Sequence, residues 1–139
     1  GKPVTYDPGI WFNSAKFLDI EYQVYGSVLA NPPENHKSLY WEHEDGEKSI
    51  RLVYDSEHKI ILGFNLMGIR FRHEVCEKWL ANKVHIEKVI QDLSLANFDP
   101  EFCKQYEQSV CDLYNAQNGA NLTLKKKRKL DSVLAFLKK

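Results

Sequence analysis

Hydrophobic and polar positions alternate along the first half of the chain and recur at helical spacing along the second. Ile20, Tyr22 and Val24 alternate with Glu21 and Gln23, the period of two expected of a strand with one buried face. Leu39, Trp41 and His43 alternate with Tyr40 and Glu42. Asp45-Gly46 follows as a hairpin signal, because Gly accepts the positive φ such turns require. Ser49 to Asp55 then sets Ile50, Leu52 and Tyr54 on one face, and Ser56-Glu57-His58 makes a second short connection. Lys59 to Met67 sets Ile60, Leu62, Phe64 and Leu66 on one face with Ile61 on the other, which predicts a strand buried on both sides. Short connections join antiparallel neighbours, so these three strands should form a meander, and the strand at 19–25 should join the same sheet. Asn31-Pro32-Pro33-Glu34-Asn35, between that strand and the meander, fits neither strand nor helix.

After Met67 the spacing changes. Arg72 to Ala81 places Val75 and Trp79 four apart, and Ile86, Val89, Ile90 and Leu93 recur at the interval of an amphipathic helix. Asp99-Pro100-Glu101 reads as a helix start: a capping Asp, Pro in the first turn, then an acid at the positive end of the dipole. The helix expected from it carries Cys103, Tyr106, Val110 and Leu113 on one stripe and stops at Asn118-Gly119. Leu130, Val133, Leu134 and Leu137 predict a last short amphipathic turn set. Strands first and helices afterwards imply an α+β fold, an antiparallel sheet of about four to five strands with C-terminal helices packed on it. With no βαβ alternation and no glycine-rich phosphate loop, a dinucleotide-binding fold is absent from this stretch. The predicted organisation is a leading segment over 1–18, an α+β domain over 19–115, and a basic helical tail over 116–139.

Composition narrows the classes. A chain of 139 residues with 43% hydrophobic and 12% aromatic content suits one globular domain able to bury its own core. No apolar run approaches the roughly 20 residues that span a bilayer, so no membrane partner is expected. The start, Gly1-Lys2-Pro3-Val4, lacks the apolar stretch of a secretory signal and an initiator methionine, so a processed chain or a piece of a longer one is expected. Lys125 to Lys139 carries seven Lys/Arg and one acid, leaving 12 basic and 18 acidic side chains, a net of −6, on the first 124 residues. An acidic body with a basic tail argues against a nucleic-acid-binding core. The three cysteines, Cys76, Cys103 and Cys111, are odd in number and widely spaced, which points to free thiols in a reducing cytoplasm.

Candidate chemistry is sparse. The five histidines, His36, His43, His58, His73 and His85, form no metal-ligand spacing, and no serine sits in a nucleophile elbow. No catalytic residue and no metal ligand is therefore assigned. The distinctive stretch is Tyr6-Asp7-Pro8-Gly9-Ile10-Trp11-Phe12-Asn13-Ser14, which concentrates three aromatics with Pro and Gly ahead of a strand. Such a cluster packs a core or an interface, or it supplies a stacking platform for a planar ring beside an amide that hydrogen-bonds ring nitrogens and oxygens.

The run Trp11-Phe12-Asn13-Ser14-Ala15-Lys16-Phe17-Leu18-Asp19-Ile20-Glu21-Tyr22-Gln23-Val24-Tyr25-Gly26 resembles the start of the C-terminal domain of ferredoxin-reductase-like flavoproteins, the apoptosis-inducing-factor branch included. That family's pattern is an aromatic pair and a serine, then a strand ending in Gln or Glu with Gly three on; Phe12, Ser14, Gln23 and Gly26 fall in those places. The resemblance spans roughly residues 3–100. It extends to bacterial flavoproteins of the pyridine-nucleotide-disulfide oxidoreductase type through Trp41-Glu42-His43 and Gly68-Ile69-Arg70. It implies a cytoplasmic FAD-dependent NAD(P)H oxidoreductase whose FAD- and NAD(P)-binding domains precede this one. This domain packs on them, sets Trp11, Phe12, Asn13 and Ser14 near the flavin, and binds no cofactor by itself. It leaves a homodimer open as a further partner. Many members carry Trp immediately before the serine, facing the flavin; Asn13 stands there in this chain, so Trp11 or Phe12 is left to stack or simply to pack.

Three other readings of the residues stand beside it. One is a free-standing α+β ligand- or protein-binding module, with the sheet and aromatics forming a pocket for an apolar ligand. Another is a small enzyme using His43 or His73, which requires a deep pocket converging on one of them. The last is an anionic-surface binder acting through Lys125–Lys129, a run that equally suits a solvated helix face or a tail docked on the acidic body.

Overall fold

The computed structural model of the protein describes residues 1–5, 9–98, 104–125 and 137–138. Five strands are present: β1 (Phe12–Phe17), β2 (Ile20–Gly26), β3 (His36–Glu42), β4 (Ser49–Asp55) and β5 (Ile61–Met67). They form one antiparallel sheet in the order β1-β2-β5-β4-β3. Helices α1 (His73–Ala81) and α2 (Ile86–Gln91), a 3-10 turn (Leu93–Ala96) and α3 (Glu107–Asn118) follow. This is the α+β arrangement that the order of periodicities implies.

The meander of β3, β4 and β5 is set by its two turns. Asp45 Oδ1 accepts from Glu47 N at 2.8 Å in the first, and Asp55 Oδ1 accepts from Glu57 N at 2.7 Å and His58 N at 2.9 Å in the second. Such side-chain acceptors close the backbone locally and make the strand reversal inexpensive. The 27–35 connection carries the chain from β2 to the far edge of the sheet, where Ser56 N donates to Asn35 O at 2.7 Å.

One face of the sheet supplies Tyr25, Leu39, Ile50, Leu52, Tyr54, Ile61, Phe64 and Leu66 to the core, and the helices close over it with Val75, Trp79, Ile86, Val89, Ile90, Val110 and Tyr114. Trp79 lies against the Phe64 ring at 6.0 Å and 25°. Burying each large aliphatic or aromatic side chain in this layer contributes about 1.5–3 kcal/mol.

Several expectations change in detail. Phe12–Phe17, within the predicted leading segment, is a sheet strand paired with β2 over its whole length. The predicted facing of β5 does not hold. Val53 pairs with Gly63 but Tyr54 pairs with Ile61, so Leu62 is an extra residue and the alternation reverses there. Ile61 is therefore in the core at 2% exposure, on the same face as Phe64 and Leu66. The helix expected across Ile86–Leu93 stops at Gln91 and tightens into the 3-10 turn. The Asp99-Pro100-Glu101 start and Cys103 lie outside the described residues, but 104–106 are not helical and α3 begins at Glu107. Its buried stripe is Glu107, Val110, Cys111 and Tyr114, and it ends as expected at Gly119, whose φ is +59°. Of the last turn set, Leu130, Val133 and Leu134 lie outside the described residues, while Leu137 packs against the core.

Candidate functional site

β1 is the edge of the sheet nearest the motif, and all six of its residues are exposed. Its sequence, FNSAKF, has no apolar alternation; the ladder to β2 holds it extended. Gly26 N donates to the Trp11 carbonyl at 2.8 Å. That bond fixes the phase of the ladder. Residues 11, 13, 15 and 17 turn their backbone groups toward β2, and Phe12, Ser14 and Lys16 turn theirs outward. The hairpin closes through Leu18 at φ +54°.

Strand geometry divides the four predicted site residues. Successive side chains point to opposite faces. Phe12 and Ser14, opposite Tyr25 and Gln23, lie on the helix-covered face; Trp11 and Asn13 lie on the other. The four residues are therefore neighbours along the chain but not one platform. Trp11 is 58% exposed and Phe12 39%. Phe12 is backed by two rings, Tyr25 at 4.7 Å and 25° and His73 at 4.4 Å and 54°. Neither the Tyr25 hydroxyl nor His73 Nδ1 has a hydrogen-bond partner among the described residues. Burial pushes the Tyr25 phenol well above its ordinary range, with the Cys76 thiol and Glu74 adding to the effect, so it remains a neutral donor. His73 Nε2 lies 3.5 Å from Glu77 Oε2. The sequence signalled Phe12 but missed Tyr25 and His73 as its support. Tyr25 was visible only as a strand position, and His73 reaches the cluster because α1 starts beneath β2.

The other two motif residues have structural explanations. Gln23 is 4% exposed, and its Oε1 accepts from Phe71 N at 2.9 Å, tying β2 to the segment that leads into α1. Gly26 has φ +68°, and a Cβ there would run into the Leu62 carbonyl oxygen.

A cleft of about 420 Å³ lies between Glu21, Lys48, Arg70, Phe98, Lys104 and Tyr106. Glu21 is four residues along β2 from Tyr25, roughly 13 Å at the usual rise, so the cleft is separate from the Phe12 cluster. The Arg70 guanidinium lies 4.0 Å from the Phe98 ring centroid, with Nε 3.4 Å from Glu21 Oε1. Lys48 is held by Asp45 at 2.8 Å, and the same carboxylate sits 3.0 Å from His43 Nδ1. Hydrogen bonds from Lys48 and from the Glu47 amide hold the Asp45 carboxyl well below the usual carboxylate range. His43 packs its ring against Tyr106 at 5.3 Å and Trp41 at 6.0 Å, a turn support rather than a group aimed into a pocket.

Among the described residues no cluster of three or more His, Cys, Asp or Glu is arranged to hold a metal, and no helix is long and apolar enough to cross a membrane. Cys76 and Cys111 are free and buried, and burial raises both thiols. Lys125, the first cation of the basic run, places Nζ 3.1 Å from buried Asp92 and donates its amide to Gln91 O at 3.0 Å. Lys126–Lys129 lie outside the described residues. No family model matches the chain, and searches of curated proteins and of solved structures likewise return no match.

Proposed function

We propose that this chain is the C-terminal interface domain of a cytoplasmic FAD-dependent NAD(P)H oxidoreductase, packing on the FAD- and NAD(P)-binding domains and lending an aromatic strand to a site whose chemistry lies elsewhere. The observation that carries this reading is the exposed edge strand: Trp11, Phe12 and Phe17 stand in solvent at 58%, 39% and 78% although the domain has a complete core without them. Large apolar groups that the core leaves outside, gathered on one element, mark a contact surface. FAD and NAD(P)H belong to the partner domains. Within this chain Phe12 is the residue suited to pack on a flavin ring, because Tyr25 and His73 hold its ring in place. Ser14 shares its face, and Asn13 points the other way.

The test is made on the complete reading frame that contains this chain. It should encode flavin- and nicotinamide-binding domains ahead of residue 1. In that protein Phe12→Ala should shift the visible flavin spectrum and slow NAD(P)H oxidation, while Asn13→Ala should leave both near wild type. A reading frame with no such domains, or a Phe12→Ala protein with an unchanged flavin spectrum and rate, removes the proposal.

The cleft beside Arg70 favours a second reading, a free-standing α+β ligand-binding module. Three cations against one carboxylate, Glu21, and two aromatic rings around about 420 Å³ leave an excess of positive charge that suits a small anionic organic ligand. Arg70→Ala should then abolish the thermal shift that such ligands give the wild-type chain.

A further inference from the structure

The strand register gathers charge at one end of the sheet. Met67 pairs with Tyr22 on one side and with Ser49 on the other, so Glu21, Gly68 and Lys48 stand in a row one residue further on. Gly68 N donates to Glu21 O at 2.7 Å. At φ +64° Gly68 leaves room for the Lys48 stem, since a Cβ there would lie 3.1 Å from Lys48 Cγ. Arg70 follows two residues later and completes the row that opens into the cleft.

Two of the three cations lining the cleft are held in place. Lys48 Nζ donates to Asp45 Oδ2 at 2.8 Å, which leaves two of the three N–H donors of its ammonium. The Arg70 guanidinium lies 4.0 Å over the Phe98 ring and turns Nε toward Glu21 Oε1 at 3.4 Å. Stacking takes one face and Glu21 meets the Nε edge. Among the described residues no acceptor meets the Nη groups, and a guanidinium edge of that kind takes a carboxylate through two parallel hydrogen bonds. Lys104 places Nζ 5.8 Å from the Tyr106 ring centroid.

The charge around the cleft limits what it accepts. Lys48, Arg70 and Lys104 are positive; Glu21 answers Arg70 and Asp45 answers Lys48, so three less two leaves one, with histidine counted neutral. A monoanion balances that excess. A phosphate monoester, which carries about −1.5 to −2 at neutral pH, overshoots it. Ile69, Phe98 and Tyr106 add apolar lining between the charged groups.

We propose that the cleft binds a small monocarboxylate with an apolar body, its carboxylate on the Nη edge of Arg70 and its body against Ile69 and Tyr106. The proposal rests on the reading of the cleft as a ligand site and is independent of the flavin reading.

The test is calorimetric titration of the 139-residue chain with benzoate, acetate and phenyl phosphate at low ionic strength. Benzoate should bind more tightly than acetate, which lacks the apolar body, and more tightly than phenyl phosphate, which carries the same ring on a dianion. Arg70→Lys keeps the charge and loses the fork, so it should weaken benzoate about tenfold. Glu21→Gln raises the local excess by one charge, so the affinity for phenyl phosphate relative to benzoate should rise about threefold. The Arg70 and Glu21 side chains are 51% and 34% exposed, so both variants should keep the wild-type circular dichroism. If none of the three anions binds, the ligand-site reading falls and this proposal with it. If phenyl phosphate or acetate binds as tightly as benzoate, or Arg70→Lys binds benzoate as wild type does, the cleft is still an anion site but the monocarboxylate assignment is overturned. An unchanged ratio in Glu21→Gln overturns the charge argument behind it.

Discussion

Replacing Gly26 with alanine isolates what the last residue of β2 does. Two costs arise there. The backbone sits at φ +68°, where an L-residue costs about 1–2 kcal/mol relative to glycine. The new methyl would also lie against the Leu62 carbonyl oxygen, 3.1 Å from Leu80 Cδ1 and 3.3 Å from Gly63 Cα. Leu62 is poorly placed to yield, since its oxygen accepts from Ser27 N at 2.8 Å and it is the extra residue of the β5 irregularity. Overpacking of this kind costs about 1–3 kcal/mol. Taken with a small gain from a stiffer unfolded chain, the expected loss is about 3 kcal/mol. At this length that lowers Tm by about 10 °C.

Gly119→Ala is the control. Gly119 has nearly the same dihedral, φ +59°, but no atom within 4 Å of the added methyl, so only the conformational cost of about 1 kcal/mol applies. Thermal melts and urea titrations of both variants, with the urea slope constant, give the comparison. If Gly26→Ala loses no more stability than Gly119→Ala, the close approach of Leu62 is not what requires glycine in this motif.

Other perturbations follow from the same contacts. Gln23→Leu leaves the buried Phe71 amide without its acceptor and should cost about 2 kcal/mol in urea titration; an unchanged midpoint contradicts the assigned bond. Leu18→Gly relieves a φ of +54° in the β1–β2 turn and should stabilise by about 0.5 kcal/mol, whereas a loss of stability would mean that the exposed Leu18 side chain contributes packing. Asp45 has its pKa depressed in the folded state, so its stabilisation is fully present above the ordinary carboxylate pKa of about 4 and disappears as pH falls through the lower folded value. The stability gap between wild type and Asp45→Asn should therefore be flat near neutrality and close in acid; a gap that widens in acid reverses the assigned sign.

The parts of the fold that could be read from the chain are those set by local rules. Strand alternation around Ile50 and Leu52, the Asp45-Gly46 and Asp55–His58 turns and the Gly119 stop each act within a few residues, and each appears as expected. In β2 the strand is where the pattern puts it but its facing is not: Ile20 and Tyr22 are exposed, and Tyr25 is the residue it gives to the core. What was not legible depends on partners distant in sequence. Ile61 and Leu62 are both apolar, so nothing in the pattern marks Leu62 as the extra residue; only the register with β4 does. Phe12–Phe17 has no strand pattern of its own and is extended because β2 pairs with it. The helix expected to run through Tyr106 begins only at Glu107, where its buried stripe starts, while Asp99-Pro100-Glu101 lies outside the described residues. At the candidate site the aromatic cluster was visible as composition. Its division between two faces follows only from the strand, and the backing of Phe12 by His73 follows only from where α1 starts.

That division changes what the motif is worth. Gln23 and Gly26 are accounted for by folding alone, one by the Phe71 amide and the other by Leu62, so any chain that turns from this strand into this helix has reason to carry them. Their place in the motif therefore needs no flavin to explain it. Trp11 and Phe17 are different: the core is closed without them, and leaving them in solvent forgoes the stabilisation that burial would give, whereas Phe12 is partly covered by Tyr25 and His73. The functional weight of the motif therefore rests on its aromatic first half. Flavin spectroscopy of Phe12→Ala in the full reading frame tests the contact proposed for that half.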